Sequence, residues 1–452
     1  MYFGKSSNND IANLFYCKGT FDFNGIKNEN IFFDLVQYND AKVDIYISYD
    51  NFFPIKTLIE QIINLHKDSC SINGSLVDKD CKFEIKEAIL SKFKFKYEKN
   101  SFILKFAFRV YSPIEIVFNE DNSKEKNILV GLTNFIHDNN AKDPTFIRFR
   151  ITTEDFTASF NEINGYGEYK ELMADNNELY FVTSEMNIKT QKNNIENEIC
   201  LLTDLLSFSK GTHTTAIYEF YHNENGITKI ILRPIVTGNY FKNDFLIPNE
   251  NLPNFLEECY TEYKNNHESF SLQLALGFYL ESLKSKYDEE KYLLASTCLE
   301  TILSSYENLC KQKENPIIPN SIKRTEKEIK KYLNENNITL LEENIEELSK
   351  RISYNQPSLI DKLNAMKLEY NIKLEKYDYD MPQIRNKITH TGRIPKIINS
   401  SKGEREIYSY VEFNRLIYLI DRILLSILNY NGTYLNRIKN QYTDKKVRKH
   451  NF

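Results

Sequence analysis

The chain has no tryptophan, only 14 glycines in 452 residues, and no run approaching 18 uncharged apolar residues. The last absence argues against a membrane-spanning helix. The opening stretch Met1-Tyr2-Phe3-Gly4-Lys5-Ser6 lacks the charged-then-apolar order of a secretory signal. Seven cysteines, Cys17, Cys70, Cys81, Cys200, Cys259, Cys298 and Cys310, form no C-x-x-C pair and no regular spacing. Reduced thiols are therefore expected rather than a disulfide framework or a zinc site. No H-E-x-x-H or Cys/His cluster suggests a metalloenzyme, and no G-x-x-x-x-G-K-[ST] suggests a nucleotide-driven motor. These absences predict a cytoplasmic protein with no membrane partner, no metal and no cofactor.

What is present can build sizeable cores. Apolar residues make up 41% of the chain, with Phe and Tyr at 30 copies each, so disorder is not expected. The length predicts two or three domains. The net charge of -5 conceals an asymmetry: residues 1–260 carry 27 basic and 37 acidic side chains, residues 261–452 carry 31 and 26. From Gly392 onward there are 12 basic against 5 acidic, including Arg437, Lys439, Lys445, Lys446, Arg448 and Lys449. A basic C-terminal half can attract a polyanion, whereas an acidic N-terminal half is a poor platform for one. For the last dozen residues alone, a solvated, fraying tail is the better account of the charge.

Residues 1–245 read mainly as β-structure. Phe21-Asp22-Phe23, Lys42 to Ser48 and Phe93 to Tyr97 alternate apolar and polar, and Phe102 to Val110 and Ile114 to Phe118 continue the theme. Asn73-Gly74 reads as a hairpin turn. Strands at this spacing predict a sandwich or barrel, with the aromatic residues as core. Phe146 to Ile151 and Glu178 to Val182 look like further strands. Asn194 to Ser209 carries a helical stripe that Gly211 is placed to stop, followed by a strand pair, Thr214 to Tyr221 and Ile227 to Ile235. Whether a subdomain break falls near residue 145 is left open.

Asn249 to Asn254, flanked by Pro248 and held by Pro253, is the linker candidate. Residues 255–452 then read as helical, with long helices at about 266–286 and 289–311. A charged insert begins at Ile322, and the paired acids Glu342-Glu343 and Glu346-Glu347 suit a solvated helix face. A helix is expected over Leu359 to Leu374. A short one begins near Pro382 and stops at Gly392 and Pro395, and a last one spans Glu404 to Leu428.

The short helix carries Arg385-Asn386-Lys387-Ile388-Thr389-His390, followed by Thr391-Gly392. Among seven histidines, His390 alone has an arginine five positions before it. Histidine near its ordinary pKa can give or take a proton, and arginine binds phosphate in a bidentate fork. Asn386 sits one turn below His390, whereas Arg385 lies about 140° around the axis and must reach round the helix or across an interface. The competing reading is that Arg and His at a helix C-terminus cap carbonyls and offset the macrodipole.

This R-x4-H pattern in a helical setting resembles the signature of the HEPN superfamily of RNases. The closest variety is the ApeA-like HEPN of bacterial anti-phage systems, in which a β-rich region precedes the helical nuclease. The likeness extends to Leu205 through Gly211 and to Cys298-Leu299-Glu300, and spans roughly 195–430. The resemblance implies an α+β chain: a sandwich- or barrel-like region over 1–245, then an all-α HEPN bundle. It implies a homodimeric, metal-independent endoribonuclease that leaves a 2′,3′-cyclic phosphate. His390 would be the acid/base, Arg385 the phosphate-charge stabiliser, Asn386 a polar auxiliary, and Glu300 the group orienting Arg385 or His390. Lys387 and Arg393 would steer RNA, host or phage, with tRNA a candidate. Abortive infection triggered by a phage component at the N-terminal region would follow. The charge split further suggests that the acidic half covers the basic cleft until a ligand moves it.

Two other classes compete. One is a non-catalytic nucleotide-, RNA- or partner-binding scaffold with a degenerate HEPN domain. The other is a β-rich carbohydrate- or peptide-binding module carrying a helical oligomerisation domain.

Overall fold

A computed structural model describes residues 11–23, 26–38, 41–50, 70–77, 79–98, 101–118, 126–135, 147–162, 182–192, 195–234, 245–336, 338–352, 356–400 and 403–444. The chain divides into two compact units, residues 1–243 and 244–452. It is α+β: a β-rich, barrel-like N-terminal region followed by a helical C-terminal region.

Alternation of apolar and polar side chains makes the strands of the first unit. In order they are β1 (Ile11–Phe23), β2 (Ile26–Tyr38), β3 (Val43–Asp50), β4 (Cys70–Leu76), β5 (Lys82–Glu98), β6 (Ser101–Val110), β7 (Ile114–Val117), β8 (Lys126–Thr133), β9 (Ile147–Thr152), β10 (Phe156–Glu162) and β11 (Val182–Thr190). Helix α1 (Glu196–Lys210) and strands β12 (Ala216–Asn223) and β13 (Gly226–Leu232) complete the described part. In β7 the residues alternate strictly between buried and exposed, as a one-sided strand requires.

Strands β4-β1-β2-β3-β6-β5 follow one another in the sheet, and β4 pairs back with β5, closing a six-stranded ring. Its core includes Phe21, Phe33, Phe83 and Phe108. Phe21 packs edge-on to Phe33 at 5.7 Å, and Phe33 to Phe83 at 6.1 Å. Strand β5 is the branch point. Beyond its pairing with β7 the sheet continues as β13-β12-β8-β11-β10-β9. Strand β8 pairs with both β11 and β12.

Asn73 and Gly74 lie inside β4 and not at a hairpin turn. The reason is steric. A Cβ on Gly74 would come within 2.6 Å of the Phe83 ring, and one on Gly19 of β1 within 2.1 Å of the Asn73 carbonyl oxygen. Glycine here permits close approach of strands and rings, not a change of chain direction. Residues 178–181 of the expected strand from Glu178, Asn194, and the basic tail residues Lys445, Lys446, Arg448 and Lys449 lie outside the described residues.

The second unit contains α2 (Leu252–Asn266), α3 (Leu272–Lys284), α4 (Asp288–Gln312), α5 (Asn320–Glu335), α6 (Glu342–Ile352), α7 (Leu359–Glu369), α8 (Met381–Thr391) and α9 (Ser409–Ile427). Short hairpins pair β14 (Ile397–Ser400) with β15 (Gly403–Glu406) and β16 (Thr433–Asn436) with β17 (Gln441–Asp444). Helix α9 is exposed in its first turn and largely buried from Glu412 to Ile427, the pattern of a central helix. Helix α4 packs against α3, α7, α8 and α9 through a stripe that includes Tyr292, Leu299, Ile302 and Tyr306. Helices α5 and α6 carry exposed i,i+4 ion pairs, among them Lys350–Glu346 and Arg351–Glu347, as the solvated-face reading anticipates.

Three expectations change. The linker candidate Asn249–Asn254 is a 3-10 turn running into α2, whose first residue, Leu252, is buried. The last helix does not begin at Glu404, because Gly403 to Glu406 pairs with Ile397 to Ser400, and Gly403 takes a φ of 108°. Helix α7 stops at Glu369 rather than Leu374, with Asn371 in the left-handed region just beyond it. Among the described residues no helix is long and apolar enough to cross a membrane, and no disulfide joins the seven cysteines.

A buried polar triad anchors the end of this unit. Arg437 contacts Asp421 at 2.7 Å and donates to the Tyr279 hydroxyl at 2.8 Å, and that hydroxyl donates to Asp421 at 2.7 Å. Burial pushes the Asp421 carboxyl up, against the opposing pull of Arg437. Asp421→Ala leaves a buried guanidinium unpaired and is expected to cost about 3–5 kcal/mol in urea unfolding. Tyr279→Phe, which removes one hydroxyl, is expected to cost roughly 1.5–3 kcal/mol. In the first unit, Gly19→Val forces the β1 and β4 backbones apart and is expected to cost about 1–3 kcal/mol by the same measurement.

Candidate functional site

Helix α8 owes its orientation to a narrow apolar stripe. Met381, Ile384 and Ile388 are buried, and α8 packs against α4. Pro382 occupies an early helical position, where its missing N–H costs nothing. Gly392 ends the helix in the left-handed region, at φ 67°, with its N–H donating to the Ile388 carbonyl at 2.7 Å. The stripe leaves Asn386, Lys387, Thr389 and His390 on the exposed side.

Arg385 is the exception, lying at the edge of the packed face. Its Nε reaches Glu300 Oε1 at 3.0 Å, and its Nη2 donates to Glu300 Oε2 at 3.2 Å, a two-pronged pairing across to α4. Its Nη1 donates to Asn386 Oδ1 at 3.4 Å. Arg385 thus reaches round its helix to a neighbouring one, and part of its fork remains for an anion.

Of the two side chains, Arg385 turns away from the helix end, while His390 stays in the last turn, where a cation offsets the macrodipole. Thr389 Oγ1 donates to the Arg385 carbonyl at 3.0 Å, and Thr391 Oγ1 to the Lys387 carbonyl at 2.7 Å. The threonines and Gly392 serve the last turn, while Arg385 turns to Glu300. Among the described residues His390 makes no side-chain hydrogen bond. The structure therefore joins Glu300, Arg385 and Asn386, and leaves His390, Lys387 and Arg393 exposed to solvent around them. Among the described residues His390 is the imidazole on helix α8. Among the described residues no group of three or more His, Cys, Asp or Glu is arranged to hold a metal ion.

Sequence reading missed the ionic scaffold that holds the start of α8. A 3-10 turn, Lys376–Asp380, leads into that helix. Its Asp378 accepts from Arg422 Nη2 at 3.0 and 3.3 Å, and Arg422 also donates to the Lys373 and Tyr418 carbonyls. Burial pushes the Asp378 carboxyl up, opposed by Arg422. Asp380 pairs with Arg405 at 2.9 Å, and Arg405 and Arg415 share Glu412. The signal was present: Glu412, Asp421 and Arg422 interrupt an otherwise apolar helix. Charged residues at such positions must find buried partners.

A family model described as the YopA C-terminal domain matches residues 265–448, a stretch that contains Glu300, Arg385, Asn386 and His390. No curated protein and no solved structure matches the chain.

The Arg385 and Glu300 side chains are each about one-third exposed, 36% and 33%, so water screens their attraction. The pair should position more than it stabilises. Glu300→Gln is expected to change unfolding free energy by less than about 1 kcal/mol. A larger loss in a urea titration would assign the pair to the framework of the unit.

Proposed function

We propose that the C-terminal unit is a metal-independent endoribonuclease of the HEPN type, acting as a homodimer. The observation that carries this reading is the Glu300–Arg385 pairing. It holds the motif arginine beside Asn386 on the helix that carries an exposed His390. An arginine engaged only in capping would have no such partner.

In this mechanism an imidazole, His390, removes the proton from a ribose 2′-hydroxyl. The 2′-oxygen attacks phosphorus and the bond to the 5′-oxygen breaks, leaving a 2′,3′-cyclic phosphate. The departing 5′-oxygen takes a proton from a second imidazole, His390 of another copy. Arg385 offsets the charge that builds on the phosphorane, in the way preorganised cations act on transferring phosphoryl groups. Asn386 orients the imidazole or a phosphate oxygen, and Glu300 keeps the guanidinium in place. Exposed Lys387 and Arg393 steer RNA.

The need for two imidazoles favours a symmetric dimer. An exposed apolar set supports it: Tyr287, Ile397, Tyr408 and Tyr410. Ser409 Oγ donates to Asp288 at 2.5 Å and the Ile394 N–H to Glu289 at 3.5 Å, so this set borders the loop after the motif helix. The N-terminal unit would sense a phage component, and cleavage of host or phage RNA, with tRNA a candidate target, would halt translation in the cytoplasm.

Purified protein is expected to cleave total RNA and tRNA in EDTA and to leave cyclic-phosphate ends. His390→Ala and Arg385→Ala should each lower the rate by at least about 100-fold. A silent wild type would be assayed again with phage lysate, because a gated enzyme needs its trigger. Equal cleavage by the variants, or silence in both assays, would sink the nuclease reading and favour a binding scaffold.

A further inference from the structure

A cleft of about 650 Å³ lies among residues 370–377, the C-terminal end of α9 and residues 429–439. That volume is within the range of small-molecule sites, about 300–1,000 Å³. The residues of the proposed nuclease surface do not line it.

Aromatic rings form much of its wall. Tyr418 and Tyr434 stack with centroids 6.2 Å apart and planes 17° apart, and both line the cleft together with Tyr377. The guanidinium of Arg422 lies 4.6 Å from the Tyr418 ring, and Arg415 covers Tyr377 at 4.8 Å. Rings held in this way are rigid, so stacking a planar ligand on them costs little ordering. Burial pushes the Tyr377 hydroxyl up to about 12, so the ring stays neutral at physiological pH.

The charges are unequal. Lys373, Arg422 and Lys439 line the cleft against one carboxylate, Glu375. Asp378 matches Arg422, and Glu375 matches Lys373 at 3.0 Å. Lys439 has no acidic partner among the described residues. Its backbone is nevertheless pinned, because its N–H donates to Asn436 Oδ1 at 3.2 Å and Asn436 Nδ2 donates to the Tyr418 hydroxyl. One surplus cation suits a single phosphate better than a triphosphate. Asn371 and Asn429, both exposed and lining the cleft, add amides that can donate and accept.

We infer that this cleft binds one nucleotide: a base against the tyrosine wall, its edge read by the asparagine amides, and its phosphate at Lys439. Stacking on aromatic rings with hydrogen bonds to the base edge is how unpaired nucleotides are commonly recognised. The nucleotide is either free or one member of a single strand, since the chemistry is shared. The inference does not rest on the nuclease reading.

The test is titration calorimetry on the full-length protein. The probes are the four ribonucleoside monophosphates, adenosine, inorganic phosphate and a 2′-O-methyl oligonucleotide that cannot be cleaved by its own 2′-oxygen. Saturable binding of a monophosphate or the oligonucleotide is expected, at least tenfold tighter than phosphate or adenosine alone. Lys439→Glu, an exposed change checked by circular dichroism to be folded, should weaken it at least tenfold, and Arg324→Glu, an exposed change on α5 away from the cleft, should not. A monophosphate binding within tenfold of the oligonucleotide identifies a free nucleotide as the ligand. A tighter oligonucleotide identifies a strand. No saturable binding of either, phosphate binding as well as the nucleotide, or indifference to Lys439→Glu would overturn the inference.

Discussion

Arg422 is the side chain on which the helical unit turns. It sits on a buried helix with only 7% of its side chain exposed, where an unpartnered cation would be prohibitively costly. It meets that cost through Asp378 and the carbonyls of Lys373 and Tyr418. Asp378 and Lys373 belong to the segment that enters α8, so satisfying one charge also fixes where the motif helix starts. Arg422 and Lys373 also line the tyrosine-walled cleft. Ion pairs of this kind add little net stability compared with apolar packing, but they can select one arrangement over its alternatives.

The second ionic knot works on the same principle. Glu412 is nearly buried and is shared by Arg405 and Arg415, while Arg405 also reaches Asp380, the last residue before α8. Two consecutive ends of the chain, the β14–β15 hairpin and the start of α9, are thereby tied to the base of the motif helix. Arg385 and Glu300 then complete the alignment from the side, between α8 and α4. The candidate site is held at its base by buried charge and along its length by apolar packing. Its polar face is left to solvent.

In the first unit the governing constraint is closure. A six-stranded ring with β4 paired to β5 leaves fewer free edges than an open sheet of the same strands would, and edges invite unwanted pairing. The glycines at 19 and 74 make that closure sterically feasible. From sequence, an Asn-Gly pair signals a turn because glycine tolerates left-handed backbone. Nothing local distinguishes that use from close packing, which depends on strands brought together from elsewhere in the chain. Likewise Gly403 and the residues after it carry helical amphipathicity, yet they pair as a hairpin because Ile397 to Ser400 folds back beside them.

By itself the sequence determined the order of a β-rich region and a helical one, since periods of two and of 3.6 are local properties. It also determined the motif on a short helix ended by Gly392, because caps and stripes lie within a dozen residues of one another. Tertiary structure alone decided that Arg385 turns to Glu300 and not to its own helix end, since the two are 85 positions apart. It alone decided that Asp378 closes on Arg422, and that four tyrosines from three segments enclose a cleft. These outcomes depend on which distant groups burial forces together, and burial is a property of the whole unit.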